Sequence, residues 1–98
     1  MKIKVYQINL DRDTERRSFR GYNGKKINSS IYDTVFDGNV NANNLEDIYT
    51  IFNIDPPLDY HGRSMSVSDI VEVDNKFFYC DNIGFANVDF DSNSAVAL

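Results

Sequence analysis

Polar and apolar residues alternate from the first positions of the chain. Ile3-Lys4-Val5-Tyr6-Gln7-Ile8-Asn9 sets lysine against β-branched residues, the period-two pattern of a strand, and Asp11-Arg12-Asp13 closes it. Ile31-Tyr32-Asp33-Thr34-Val35-Phe36-Asp37 repeats the alternation and predicts a second strand stopped by Gly38. Between them, Gly21, Gly24 and Ser29-Ser30 break any helical period, so residues 14–30 are expected to hold no more than a helical turn or two. Val67 to Val73 is β-rich, Asp74-Asn75 reads as a two-residue turn that tolerates positive φ, and Phe77-Phe78-Tyr79-Cys80 returns as its partner. Asp81-Asn82 and Gly84 mark another turn before a strand from Phe85 to Phe90, which completes an antiparallel meander.

One segment has a different period. Leu45, Ile48, Tyr49 and Phe52 fall at i, i+3, i+4 and i+7, the apolar stripe of a short helix over residues 44–53. Asn43 or Asn44 supplies the N-cap, with Glu46 three residues after Asn43 in a capping-box arrangement. Glu46 and Asp47 favour the first turn through the helix dipole, and Asp55-Pro56-Pro57 ends the helix. A helix with one apolar stripe and a sheet with one apolar face hide both by packing together. The fold class is therefore α+β: an antiparallel sheet of about four to five strands with the helix on one face. Residues 1–90 make a single domain, and residues 91–98, rich in Ser and Ala, a flexible C-terminal tail. An exposed edge strand at Ile3–Asn9 would offer a route to a homodimer.

At 98 residues, with 42% hydrophobic and 13% aromatic residues, the chain has material for one thin core and little for a deep private pocket. No apolar run approaches the ~20 residues that span a bilayer, and the N-terminus lacks an apolar signal segment. A single cysteine, Cys80, excludes an internal disulfide and fits a reducing compartment. These features point to a cytoplasmic protein with no membrane partner. The net charge of −5 hides an asymmetry. Residues 1–30 carry eight Lys/Arg against three acids, and residues 31–98 carry only Arg63 and Lys76 against twelve acids. A basic head and an acidic body give two faces of opposite potential if the segments lie apart.

The catalytic inventory is sparse. Cys80 and His61 are the only Cys and His, and a cysteine inside a strand such as Phe77–Cys80 usually serves as a small hydrophobe. A structural zinc site needs about four such ligands. Asp59 and Asp69 could pair around Mg²⁺ or act as acid and base, yet acidic chains supply such pairs by chance and no calcium-binding loop accompanies them. The scattered glycines form no phosphate loop. The expectation is a non-enzyme with no catalytic residue, no metal site and no cofactor.

Two segments carry candidate binding chemistry. The polar stretch Asp59-Tyr60-His61-Gly62-Arg63-Ser64-Met65-Ser66 lies between regular elements, where binding residues sit on a rigid scaffold; His61, Arg63, Ser64, Ser66 and Asp69 are its candidate partner-binding residues. The plain reading is a loop leading into a strand, with Arg63 pairing a local acid such as Asp69. The second segment, Arg12–Lys26, interleaves Arg12, Arg16, Arg17, Arg20, Lys25 and Lys26 with Phe19 and Tyr22, a combination that holds nucleic acid through phosphate contacts and stacking. Its plain reading is a solvated edge or self-pairing with the acidic half. The acids themselves could occupy a nucleic-acid channel of another protein, or simply keep a small domain soluble.

Several stretches taken together resemble a known family: Met1–Asn9 with Asp11-Arg12-Asp13, Asn44-Leu45-Glu46-Asp47-Ile48-Tyr49, Gly62-Arg63-Ser64-Met65-Ser66-Val67-Ser68-Asp69-Ile70-Val71, and Phe78-Tyr79-Cys80-Asp81-Asn82-Ile83-Gly84-Phe85. Over residues 1–90 the chain is similar to the YodL-like domain family of plasmids and conjugative elements of Firmicutes. The resemblance carries over no catalytic residue. It implies an accessory protein of a mobile genetic element, and some similar proteins are anti-CRISPR inhibitors of type II systems. The implied target is a protein partner, such as a type II CRISPR effector nuclease, or else that effector's guide RNA, with nucleic acid the less favoured partner. An accessory role in conjugation or plasmid maintenance, and nucleic-acid binding by residues 12–26, are the alternatives.

Overall fold

The computed structural model describes all residues, Met1–Leu98. In chain order its regular elements are β1 (Lys2–Ile8), β2 (Tyr32–Asn39), α1 (Leu45–Ile54), β3 (Ile70–Val73), β4 (Lys76–Cys80), β5 (Phe85–Val88) and β6 (Val96–Ala97), with 3-10 turns at Ser29–Ile31 and Ser92–Ser94. The class is α+β with one helix, as the periodicities predict. The sheet differs from the expectation in count and kind. It has six strands in the order β5-β4-β3-β1-β2-β6 and is mixed, because β6 runs parallel to β2 through Asp33↔Val96 and Thr34↔Ala97. Residues 91–98, expected as a frayed tail, thus contribute a 3-10 turn and the sixth strand.

The opening strand lies in the middle of the sheet, antiparallel to β2 on one side and to β3 on the other. An edge-to-edge homodimer through Ile3–Asn9 is therefore ruled out by geometry, since both hydrogen-bonding edges of that strand are already used. Its lysines misled because Lys2 and Lys4 stand only at the end of the strand, while Val5 to Ile8 are buried on both faces. A β-bulge between Val5 and Tyr6 shifts the register to β2, where Val5 faces Phe36 and Tyr6 faces Thr34.

Two cores result. On the helix side, Ile48 and Phe52 pack on Ile3, Val5, Phe36 and Val71, with Phe52 edge-on to Phe36 (5.2 Å) and to Tyr60 (4.8 Å). On the other face, Tyr6, Ile8, Tyr32, Ile70, Tyr79 and Phe90 form a second cluster, covered in part by Tyr22 and Ile27 of the long β1–β2 connection. The cap of α1 is Asn44, whose Oδ1 accepts from Asp47 N (2.8 Å), while Asp47 reaches back to Asn43 N (3.0 Å). The reciprocal cap thus sits one residue later than Asn43/Glu46. The strand expected from Val67 begins only at Ile70, because Ser68 takes φ +89° and turns the chain. Asp74 (φ 53°) and Asn75 (φ 62°) both adopt the left-handed turn their types allow. No helix is long and apolar enough to cross a membrane.

Candidate binding surface

Local chemistry organises the connection from Asn9 to Asn28. Asp13 works as a loop cap: its Oδ1 accepts from Arg17 N (2.8 Å), and its Oδ2 accepts from Ser18 N (2.9 Å) and Ser18 Oγ (2.6 Å). Burial pushes its carboxyl up, but the Ser18 hydroxyl and the Arg17 and Ser18 amides outweigh that and hold it below the usual carboxylate range. Arg16 (φ 53°) and Phe19 (φ 66°) are left-handed non-glycine residues, a strained conformation kept only where surroundings over-determine it. Those surroundings are long-range. Phe19 N donates to Ser68 Oγ (3.1 Å), Tyr22 N to Asp81 Oδ1 (3.1 Å), and Tyr79 Oη to Arg20 O (2.7 Å). Gly21 passes so close to the β4–β5 turn that a Cβ there would meet Asn82 Nδ2 at 2.4 Å.

The second segment is built around a polar group in an apolar row. Ile3, Val5 and Gln7 share the helix-side face of β1, and Gln7 is buried. Its Nε2, with two hydrogens to donate, lies within reach of three acceptors, Tyr60 Oη (2.8 Å), Arg63 O (2.9 Å) and Asp69 Oδ2 (2.9 Å), and its Oε1 accepts from Arg63 N (2.9 Å). Tyr60 Oη also donates to Arg63 O, and Ser66 N donates to Asp69 Oδ2 (2.9 Å). Gly62 lies against this cluster so tightly that a Cβ would come within 2.4 Å of Gln7 Oε1. Asp69 is fully buried. Burial raises its carboxyl to about 7, against the lowering pull of the Ser66 amide, the Gln7 amide and the Arg63 charge. Asp69 Oδ1, Arg63 Nε and Ser66 Oγ are buried without a protein partner.

Arg63 does not pair with Asp69 as the plain reading held. Its guanidinium donates to Ile8 O (3.0 Å) and lies over the Phe19 ring, 5.5 Å from the centroid. This contact joins the two candidate segments into one surface. Of the residues singled out in the second segment, Arg63, Ser66 and Asp69 belong to or border the buried network, whereas His61 and Ser64 are exposed. Gln7, Tyr60 and Phe19 belong to the same arrangement but carry no motif. The one signal for Gln7 was its place in the row Ile3, Val5, Gln7, where an apolar residue would be ordinary.

The cations divide into two groups. Arg12 is structural: it pairs with Asp33 at 2.7 Å and donates to Tyr32 O (3.1 Å) and Ser30 O (3.3 Å). The other ion pair is Lys4 with Asp37 at 4.0 Å. Arg16, Arg17, Arg20, Lys25 and Lys26 form no ion pair, so self-pairing with the acidic half accounts only for Arg12. Arg17 instead donates to Gly21 O at 2.6 Å. Arg16, Arg20, Lys25 and Lys26 are exposed on this connection, as is the half-exposed ring of Phe19, and Arg17, Lys25 and Lys26 line a common concavity with Tyr22.

Cys80 is buried in β4. Burial, then the charges of Asp69 and Asp81, push its thiol up to about 11, which leaves it protonated and unreactive at neutral pH. Asp59 is exposed and Asp69 buried, so the two carboxylates do not open onto one space. No group of three or more His, Cys, Asp or Glu residues is placed to hold a metal ion.

Neither a curated protein nor a solved structure matches the chain. A family model does: the YodL-like domain matches residues 2–90, from the first strand to Phe90, which lies two positions past β5 and packs in the second core. That match covers nearly the whole chain, and the protein belongs to the YodL-like domain family.

Proposed function

We propose that this YodL-like domain is a non-enzymatic binding protein that a mobile genetic element uses in the cytoplasm against host defence, with a type II CRISPR effector and its guide RNA as the target. The observation that carries the reading is that the ordered connection of residues 16–26 carries five cations free of ion pairs and the half-exposed ring of Phe19. Cations already paired to the domain's own carboxylates would have to break those pairs to hold an outside strand. Unpaired ones displace only counterions. The aromatic ring adds a stacking surface for an unpaired base. Membership in the YodL-like domain family supports the reading, and the host-defence setting is what the sequence resemblance implies.

The fixed conformation of the surface favours binding as well. A 20-residue connection pinned at Ser68, Tyr79 and Asp81 loses little conformational entropy on contact with a partner. The test is a titration of purified domain against guide RNA, and against the effector–guide complex, at several salt concentrations. The reading expects binding that weakens as salt rises and is lost when Arg16, Arg20 and Lys25 are all changed to Ala. Binding indifferent to those substitutions would move the contact to another face. An accessory role in conjugation or plasmid maintenance becomes the better reading if neither target binds.

A further inference from the structure

One concavity of the domain lies beneath the basic loop, away from the buried Gln7–Asp69 network. It is a pocket of about 100 Å³ between the loop and the second core. Arg17, Lys25 and Lys26 stand at its wall, with Tyr22, Tyr32 and Tyr79 among the rings that line it. We infer that this pocket is an oxyanion site that seats one phosphate group of a nucleic-acid strand. The inference rests on the proposed function and gives that surface a defined anchoring point.

Charge selects the ligand class. The space is well above the ~10–15 Å³ that seats a single water, so a tetrahedral oxyanion fits within it. Three cations line it against one carboxylate, Glu15, and that carboxylate is itself held by Asn28 Nδ2 at 2.8 Å. Arg17 is fixed in advance: its guanidinium is tied to Gly21 O at 2.6 Å and lies beside the Tyr79 hydroxyl. The lysines are placed by a local turn. Asn23 Oδ1 accepts from Lys25 N (3.0 Å), and Gly24 takes φ +77°, which brings Lys25 and Lys26 back over the pocket. Tyr32 and Tyr79 spend their hydroxyls on Ser68 O (2.8 Å) and Arg20 O (2.7 Å), so they serve as walls. A planar guanidinium with two flexible ammonium groups is the donor set that phosphate oxygens take up.

The test follows backbone amide NMR shifts during titration with inorganic phosphate, and separately with a short single-stranded RNA with and without a 5′ phosphate. Phosphate is expected to shift the amides of Arg17 and residues 22–28 saturably, with affinity reduced about tenfold or more in Lys25→Ala/Lys26→Ala. Lys2→Ala/Lys4→Ala makes the same change in net charge away from the pocket and is expected to leave the titration unchanged. RNA is expected to shift the same amides, with the 5′ phosphate strengthening the response if a terminal group is preferred over a backbone one. Shifts that are unsaturable, or equally weakened by both double variants, overturn the pocket. Phosphate binding without RNA or effector binding keeps the pocket and removes the guide-RNA reading. RNA binding with no phosphate response overturns the pocket and leaves that reading standing.

Discussion

Asp69→Asn isolates the cost of the buried carboxylate at the centre of the Gln7 network. In the folded chain Asp69 is fully buried, Oδ2 accepts two hydrogen bonds of 2.9 Å and Oδ1 accepts none, so burial outweighs the donors and the group titrates near 7 rather than 3.8. Below pH 3.8 the group is protonated in both states and costs nothing. As pH rises above that value the unfolded chain releases its proton first, while the folded chain keeps it until about 7, so stability falls across that window and levels off above it. A separation of about three pKa units corresponds to roughly 4 kcal/mol over the whole window, of which about 2–3 kcal/mol falls between pH 5 and 8. Asparagine keeps an oxygen for Gln7 Nε2 and Ser66 N but cannot ionise. Urea unfolding of both proteins at half-unit pH steps measures the difference. Wild type is expected to lose that stability relative to Asp69→Asn between pH 5 and 8, with unchanged m-values. Parallel pH profiles for the two proteins refute the assignment of Asp69 as a carboxyl that ionises late.

Three further outcomes follow from the same geometry. Gly62→Ala places a methyl 2.4 Å from Gln7 Oε1 and is expected to cost about 1–3 kcal/mol in denaturant unfolding, whereas an alanine at Gly24 meets no atom within 4 Å and suffers only from its positive φ. Phe52→Ala removes the ring shared by Phe36 and Tyr60 and is expected to cost about 3–5 kcal/mol by the same assay. Asp13→Ala unties the loop: because the folded carboxyl lies below its ordinary value of 3.8, wild-type loop order is present above that pH and fades as pH falls through the folded value. Amide exchange of residues 16–20 is expected to be faster in Asp13→Ala at neutral pH while β1 and β3 stay protected.

Local signals account for what the sequence made legible. The stripe Leu45, Ile48, Tyr49 and Phe52 defines α1 because a helix repeats every 3.6 residues whatever it packs against, and Asp74-Asn75 marks its turn by residue type alone. What stayed hidden depends on distant partners. The order of residues 14–28 comes from Ser68, Tyr79 and Asp81, some fifty to sixty positions away, which no local pattern records. Strand order is equally non-local: nothing within Lys2–Ile8 says that β2 and β3 flank it on both sides, and the burial of Val5 to Ile8 on both faces follows from that placement. The basic segment was visible as composition. Its separation into one structural cation, Arg12, and five unpaired ones required Asp33 to be placed beside Arg12 in space.

The most direct measurement of the central claim is CRISPR interference against a target plasmid in cells that express this domain or its Arg16→Ala/Arg20→Ala/Lys25→Ala variant, with guide RNA quantified in the same samples. The account predicts that the wild-type domain protects the plasmid and the variant, folded and equally abundant, does not; an unchanged guide level would indicate a blocked effector, and a reduced one loss of the guide. Unimpaired plasmid destruction with normal guide RNA in the presence of abundant wild-type domain would contradict it.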